Sequence, residues 1–271
     1  MLTLKRTTSA PTTTLPEGFH YVSQDNYCLV RLNDTDKKYL YSDSATSCII
    51  VVMAGRNADD QEIVMLSHLS RKVRYDYFFN LVGAHFVGPV HIWGQGGNPP
   101  LAEASNDNTH TLMGWLMTHS LDNFRYNAPA DKPSWWVEQV TLSLGQGDPN
   151  ECHRDDFGVD LTTMKVSNQA FDLTSEQRDP TGGVQTLFAV FGMKIYPPVW
   201  LWKSTRPFDD ALITRLVNAA NQDNWTQILS MTDEEILHTY SSTPEWEVPW
   251  FVETLKESAQ FVDNWNKTNG G

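Results

Sequence analysis

Residues 42–69 read SDSATSCIIVVMAGRNADDQEIVMLSHL, and this stretch decides the interpretation of the fold. It contains two short apolar runs, 49–53 and 63–69, which are separated by a polar segment with Gly, Asn and Asp. Runs of this length that are rich in β-branched residues are typical of buried strands, and a polar break between them is typical of a hairpin. We therefore expect two adjacent strands joined by residues 54–61.

The same stretch carries a candidate catalytic set. Cys48 lies six residues after Ser42, and His68 follows twenty residues after Cys48. The hairpin would bring a nucleophile at the start of one strand to a base near the end of the next, as thiolate catalysis requires. The charge of His68 can stabilise a thiolate, and the Ser42 hydroxyl can orient the imidazole. The alternative is that Cys48 is a small buried hydrophobic residue and His68 a structural histidine.

This segment resembles the chemotaxis glutamine deamidases of the CheD family and, more distantly, the catalytic domains of cytotoxic necrotizing factor toxins. In CheD a threonine stands six residues before the catalytic cysteine, a Gly-Ser pair precedes that cysteine, and the histidine follows on the next strand. Here Ser42 takes the place of the threonine, Ser47-Cys48 matches the Ser-Cys pair, and residues 65–68 match the approach to the histidine. Thr46 stands where the family has glycine.

The resemblance covers about 39–166, because segments 90–98, 110–121 and 137–145 match the strands and the helix that follow the histidine in CheD. It implies an α+β fold with a layered β-sheet core and flanking helices, which here is followed by a helical C-terminal extension. It also implies a catalytic cleft lined by the residues that we interpret as substrate-binding, namely Ser47, Gly94, Gly96 and Gly97.

The activity implied by this resemblance is cysteine-dependent deamidation of a glutamine side chain on a protein substrate. Cys48 would attack the amide carbon, backbone N–H groups near Ser47 and Cys48 would stabilise the oxyanion, and His68 would transfer the protons, while Ser42 orients it. No step implies a cofactor. A cysteine peptidase or a transglutaminase would use the same Cys/His pair. A non-enzymatic adaptor, or an immunity-type binding protein, would use the aromatic helices near the C-terminus.

Composition restricts the partners. The 271 residues carry a net charge of −13, which argues against nucleic acid and anionic membrane surfaces as partners. No apolar run approaches the ~20 residues that a membrane-spanning helix needs, so we expect no membrane insertion. The three cysteines, Cys28, Cys48 and Cys152, are too few for a disulfide framework and suit a reducing compartment.

The N-terminal region is rich in Thr, Ser and Pro and lacks the apolar core of a classical signal peptide. We interpret residues 1–18 as a flexible leader, which resembles in composition the leaders of proteins exported by bacterial needle-type secretion systems. The expected localisation is synthesis in a bacterial cytoplasm and secretion into a host cytosol, as an effector or toxin.

We expect a catalytic domain over 19–200 and a helical extension over 201–271. The patterns predict a strand over 27–32, a helix over 73–82, a strand over 185–195, and helices over 208–221, 232–240 and 248–266. Thr232 and Glu235 form a capping-box signature at the start of the second of these last helices.

Other polar residues received no catalytic role. Cys28 is interpreted as structural because it lies within an apolar strand. His85 and His91 lack further ligands at compatible spacing, so no metal site is expected. The run from His153 to Gly158 imitates two kinase signatures by chance, because the other kinase motifs are missing.

Overall fold

The computed structural model describes residues 11–32, 36–127, 132–146 and 154–269. The fold is mixed α+β, as predicted, and the chain divides into two compact units, Met1–Asp172 and Leu173–Gly271. The boundary therefore lies at Asp172 and not after residue 200. The reason is that Val184 and Phe191 belong to the same buried cluster as the C-terminal helices.

Part of the predicted leader is paired with the first unit. The Thr12 backbone N–H donates to the Ala170 carbonyl at 3.2 Å, and its carbonyl accepts from Asp172 at 3.0 Å. Residues 1–10 lie outside the described residues.

The larger sheet of the first unit is built around the predicted hairpin. Strands β4 (Ile49–Arg56) and β5 (Glu62–Leu69) are antiparallel, with Ile50 opposite His68. Strand β2 pairs antiparallel with β5, β6 pairs antiparallel with β4, and β7 runs parallel to β6, which gives the order β2-β5-β4-β6-β7. The bounds of these three strands are β2 (Asn26–Arg31), β6 (Val87–Gly96) and β7 (Trp135–Leu144).

A smaller sheet lies against one face of the larger sheet. Its order is β1-β3-β8-β9, with bounds β1 (Phe19–Tyr21), β3 (Tyr39–Ala45), β8 (Asp155–Asp160) and β9 (Lys165–Ser167). The core between the sheets takes alternate side chains from both, because successive residues of a strand point to opposite faces. It includes Cys28, Leu40, Cys48, Ile50, Leu66, Trp93 and Phe157.

Helices cover the other face of the larger sheet. They are α1 (Lys72–His85), α2 (Glu103–Thr118) and the short α3 (Leu121–Tyr126). Phe79 of α1 stacks on Trp115 of α2 and on Trp135 of β7, with ring centroids 5.1 and 5.9 Å apart. The first unit thus has three layers, in the order smaller sheet, larger sheet and helices, and this confirms the predicted layered core with flanking helices.

The second unit is mainly helical. Its elements are α4 (Ser175–Arg178), α5 (Val184–Phe191), β10 (Trp202–Lys203), α6 (Asp210–Gln222), a 3₁₀ helix (Trp225–Ser230), α7 (Asp233–Tyr240), a second 3₁₀ helix (Pro244–Trp246) and α8 (Phe251–Asn269). The three predicted C-terminal helices are confirmed. The Thr232 hydroxyl accepts from the Glu235 N–H, and the Glu235 carboxylate accepts from the Thr232 N–H at 2.8 Å, which completes the capping box.

The predicted strand over 185–195 is wrong, because α5 occupies most of this segment. Its buried residues, Val184, Leu187, Phe188 and Phe191, recur at the spacing of one helix face. A short apolar run fits a buried strand and a buried helix equally well, and here the tertiary core selects the helix.

Candidate active site

Cys48 is the last residue of the short segment that links β3 of the smaller sheet to β4 of the larger sheet. The carbonyl of Cys48 accepts from Gly97 N–H at 2.9 Å, and the carbonyl of Thr46 accepts from Asn98 N–H at 2.8 Å. The end of β6 therefore holds the backbone on both sides of Ser47. Gly96 and Gly97, which were predicted to line the cleft, therefore lie beside the segment that carries Cys48.

Helix α2 holds the same loop from the other side. The Asn108 carboxamide donates to the Ser47 carbonyl at 2.8 Å and to the Ser70 carbonyl at 3.0 Å. Asn108 is 1 % exposed, so these bonds form in a site where water does not compete. This side chain links the start of β4 to the end of β5, where the imidazole lies.

Glycine is required at position 96. Its φ is +135°, and a Cβ there would lie 2.1 Å from the Cys48 carbonyl oxygen. Gly97, at φ +68°, continues this close approach. Gly94 faces the helix layer instead, because a Cβ there would lie 3.7 Å from Leu112 of α2. Of the predicted substrate-binding residues, Ser47, Gly96 and Gly97 lie next to Cys48 and Gly94 does not.

The imidazole joins the two sheets. His68 extends from β5 of the larger sheet, and its Nδ1 lies 2.8 Å from the Oγ of Ser42 in β3 of the smaller sheet. Ser42 and His68 are both buried. The predicted contact between these two residues is therefore present. His68 Nε2 is also buried and makes no hydrogen bond to any described residue.

Cys48 and His68 lie on the same face of the larger sheet. Cys48 precedes Ile50 by two residues, both belong to the core between the sheets, and Ile50 is the partner of His68 across β4 and β5. The thiol and the imidazole are thus diagonal neighbours, whose Cβ atoms are typically about 7 Å apart. Nε2 makes no hydrogen bond in the described structure, so the thiol and the imidazole are not hydrogen-bonded to each other through this atom.

Burial lowers the pKa of His68 to about 4, so the imidazole is neutral at pH 7. The desolvated site disfavours the imidazolium, and with it the expected stabilisation of the Cys48 thiolate by a charged His68 in the free protein. A neutral imidazole is chemically suited to accept a proton. With its proton on Nδ1 and donated to Ser42, it leaves the Nε2 lone pair ready to accept a proton.

Sequence reasoning missed Gln24, which lies in the turn between β1 and β2. Its Oε1 is 3.9 Å from the Cys48 sulfur, and its backbone forms a bridge with His68. Gln24 thus joins Ser42 and His68 as a polar side chain close to Cys48. A single glutamine in a turn carries no local signature, and it comes from a segment outside the motif.

A buried polar network also escaped the sequence analysis. Both carboxylate oxygens of Asp155 in β8 accept hydrogen bonds, from Gln95 Nε2 at 2.5 Å and from Asn98 Nδ2 at 2.6 Å. These bonds connect the two sheets at the end where Cys48 lies. Asp155 lies in the segment whose likeness to kinase signatures is attributed to chance. No pattern in the sequence around it predicts this network.

The remaining candidates lie outside this site. Cys28 is completely buried in the core between the sheets, and Cys152 and His153 lie outside the described residues. His91 Nε2 is 3.0 Å from a Glu138 carboxylate oxygen. Among the described residues, no three His, Cys, Asp or Glu side chains are arranged to hold a metal ion.

Within the described part of the chain, no helix combines the length and the apolar character needed to cross a bilayer. Comparison with protein-family models gave no match, and a search of curated proteins found no similar sequence.

Proposed function

We propose that this chain is a cysteine-dependent deamidase that hydrolyses the side-chain amide of a glutamine in a protein target. The observation that carries the proposal is the 2.8 Å contact between Ser42 and His68, which directs the unbonded Nε2 toward general-base chemistry on the face that also holds Cys48. A buried polar atom without a partner is costly, at about 1–3 kcal/mol, and such atoms are retained where function needs them.

In the proposed reaction, His68 Nε2 takes the thiol proton while Cys48 Sγ forms a bond to the amide carbon. The tetrahedral intermediate then collapses, the C–N bond breaks, and the imidazolium gives its proton to the leaving ammonia. Water attacks the resulting thioester with His68 again as base, and this step releases glutamate and restores the thiol. Ser42 keeps the same tautomer of His68 through both halves of the cycle.

The burial of the nucleophile supports a side-chain amide as the substrate. Cys48 is only 9 % exposed, and Gly96 lies close against its backbone. A long, unbranched side chain such as glutamine enters such a site more readily than a main-chain peptide bond, which brings two flanking residues with it. The resemblance of residues 42–68 to CheD supports the same choice.

A role as a secreted bacterial effector or toxin is part of the proposal. Its support is the Thr-, Ser- and Pro-rich composition of residues 1–18, together with a second unit that CheD lacks. Secretion by a strain with a needle-type system, compared with a variant that lacks residues 1–10, tests this part separately from the chemistry.

The test of the chemistry uses carbobenzoxy-Gln-Gly and casein as probes, with ammonia release and the amide-to-acid mass change as readouts. We expect both signals from the wild type and neither from Cys48→Ser. Cys28→Ala is the matched control, because Cys28 lies in the same core but is completely buried, so a substrate does not reach its thiol.

The same assay separates the competing enzymes. A peptidase would give new amino termini in casein, and a transglutaminase would couple a fluorescent primary amine to it in preference to water. If the wild type gives none of these products and the Cys48→Ser protein binds host proteins as well as the wild type does, the adaptor interpretation replaces the proposal.

A further inference from the structure

We infer that the side-chain amide of Gln24 is a third catalytic group, which donates an N–H to the oxyanion formed when Cys48 attacks a carbonyl carbon. This inference rests on the proposed function only in taking the glutamine side chain as the natural substrate. The position of Gln24 beside the Cys48 thiol does not depend on that choice. The inference starts from the 3.9 Å distance between the Gln24 carboxamide and the Cys48 sulfur.

The turn that carries Gln24 is fixed in place. The neighbouring Asp25 is completely buried and accepts hydrogen bonds from the Ser70 hydroxyl at 2.7 Å and from the Ser70 N–H at 3.2 Å. Arg74 of α1, also completely buried, lies 3.4 Å from the other Asp25 oxygen. A buried ion pair of this kind fixes a conformation more than it adds stability.

The same turn is attached to the strand that carries the base. The Asp25 N–H donates to the His68 carbonyl at 2.8 Å, and Gln24 forms a bridge with His68. The backbone at position 24 is therefore joined directly to the backbone at position 68. The carboxamide, the imidazole and the thiol are thus held by a common framework, which is the preorganisation that electrostatic catalysis needs.

The chemistry of the carboxamide suits an oxyanion. The terminal torsion of glutamine has a broad, roughly two-fold profile, so rotation exchanges the oxygen and the nitrogen at little cost. The oxyanion lies two bonds from Sγ, so a donor about 4 Å from Sγ can reach it within 2.7–3.1 Å. In the free protein the thiol donates to Oε1, and after attack the N–H group takes that place.

The test compares two reactions of the same thiol. Acylation by 4-nitrophenyl acetate passes through a tetrahedral oxyanion and releases nitrophenolate, whereas alkylation by iodoacetamide displaces iodide and forms no oxyanion. The variant is Gln24→Met, which keeps the length of the side chain and removes its N–H groups. Gln61→Met, in the exposed turn between β4 and β5, is the matched control.

We expect Gln24→Met to slow acylation of Cys48 about 10²–10³-fold, the usual effect of removing one oxyanion donor, and to leave the alkylation rate unchanged. It should lower kcat for carbobenzoxy-Gln-Gly by a similar factor with little change in KM. Gln24→Glu, which replaces the donor by an anion, should be at least as slow. Gln61→Met should behave as the wild type.

Other outcomes overturn the inference. If Gln24→Met raises acylation, Gln24 blocks the site, and if it slows both reactions equally, Gln24 only positions the thiol. If the wild type does not hydrolyse glutamine but Gln24→Met still slows acylation of Cys48, the proposed function is refuted and the role of Gln24 is supported. A wild type that hydrolyses glutamine and a Gln24→Met variant of equal kcat would refute the Gln24 role alone.

Discussion

At the scale of single residues, the site depends on what surrounds each reactive atom. Cys48 retains 9 % of its surface exposed whereas Cys28 retains none, although both belong to one core. The imidazole beside Cys48 is neutral near pH 7, because burial lowers the pKa of His68 to about 4. In the proposed reaction the thiol therefore gives up its proton to a neutral base.

This arrangement predicts the pattern of alkylation. Iodoacetamide should modify native Cys48 faster than Cys28, because only Cys48 is partly accessible. Between pH 7 and pH 5 the rate should fall about tenfold per pH unit, as for a thiol without an imidazolium partner. Peptide mapping by mass spectrometry measures both rates. A plateau of high reactivity at pH 5–6 would show a preformed thiolate and contradict a neutral His68.

Ser42 variants test the orientation of the imidazole. Ser42→Ala should lower the rate of glutamine hydrolysis less than Cys48→Ser does, because Ser42 orients the base and does not react. Ser42→Thr keeps the hydroxyl and should keep activity, with a loss of about 1–3 kcal/mol of stability from the added methyl in a fully buried position. Ammonia release and thermal unfolding measure the two effects. Equal inactivation by both substitutions would argue against a role of the hydroxyl.

At the scale of elements, the hairpin and the glycine turn shape the site. Strand pairing places Ile50 opposite His68, and the end of β6 holds the Cys48 backbone. The sequence was sufficient to predict the hairpin because its apolar runs are short, β-branched and separated by polar residues. It was not sufficient for α5, whose apolar run lacks a polar face that would reveal its period.

The candidate site was predictable only where its residues share one motif. Ser42 and His68 meet as the spacing predicted. Gln24 and Asn108 reach Cys48 and its loop through tertiary structure, from a turn and from a helix face. Asp155 accepts hydrogen bonds from Gln95 and Asn98 across the two sheets. Polar residues that come together across long sequence separations leave no pattern in any short window, so their roles follow only from the fold.

Substitution of Gly96 tests the close approach between the end of β6 and the backbone of Cys48. Gly96→Ala should lower the free energy of unfolding by about 3 kcal/mol or more, because φ is unfavourable and the Cβ would lie 2.1 Å from the Cys48 carbonyl oxygen. Gly114→Ala is the matched control within α2. No atom of a described residue lies within 4 Å of a Cβ there, so it should raise stability by about 0.5–1 kcal/mol. Urea unfolding measures both, and equal effects would contradict the close approach.

At the scale of the whole molecule, buried titratable groups make stability depend on pH. The folded pKa of His68, about 4, lies below the value of 6.5 for an exposed histidine. The unfolded chain therefore binds more protons between these pH values, so the contribution of His68 is fully present above pH 6.5 and is lost as the pH falls toward 4. Burial lowers the pKa of His20 to about 4 as well, with the same sign.

We expect the unfolding free energy to fall on acidification from pH 6.5 to pH 4, by about 3 kcal/mol for His68 alone. His68→Gln removes this titration and should reduce the slope by about one proton. Urea unfolding at several pH values measures the slope. An unchanged slope in His68→Gln would mean that His68 is protonated in the folded protein.

The contribution of Asp156 to stability changes with pH in the opposite direction. Burial and the neighbouring Asp43 raise the pKa of its carboxyl from 3.8 to about 7. Its contribution is therefore fully present below pH 3.8 and is lost as the pH rises through 7. Asp156→Asn, which can still accept the hydrogen bond from the Ser44 N–H, should be more stable than the wild type at pH 8 and show little difference at pH 4. A stability gain that is the same at both pH values would contradict the raised pKa.

The contact between Ser42 and His68 has a mechanical consequence, because one partner belongs to each sheet and the thiol to only one of them. A hydrogen bond weakens steeply with distance and angle, so a slip of one sheet along the other by a small part of a residue would release the imidazole. The imidazole therefore keeps its orientation only while the two sheets stay in register. A core substitution that shifts the packing of the two sheets should therefore lower the rate of glutamine hydrolysis while circular dichroism still reports intact strands and helices.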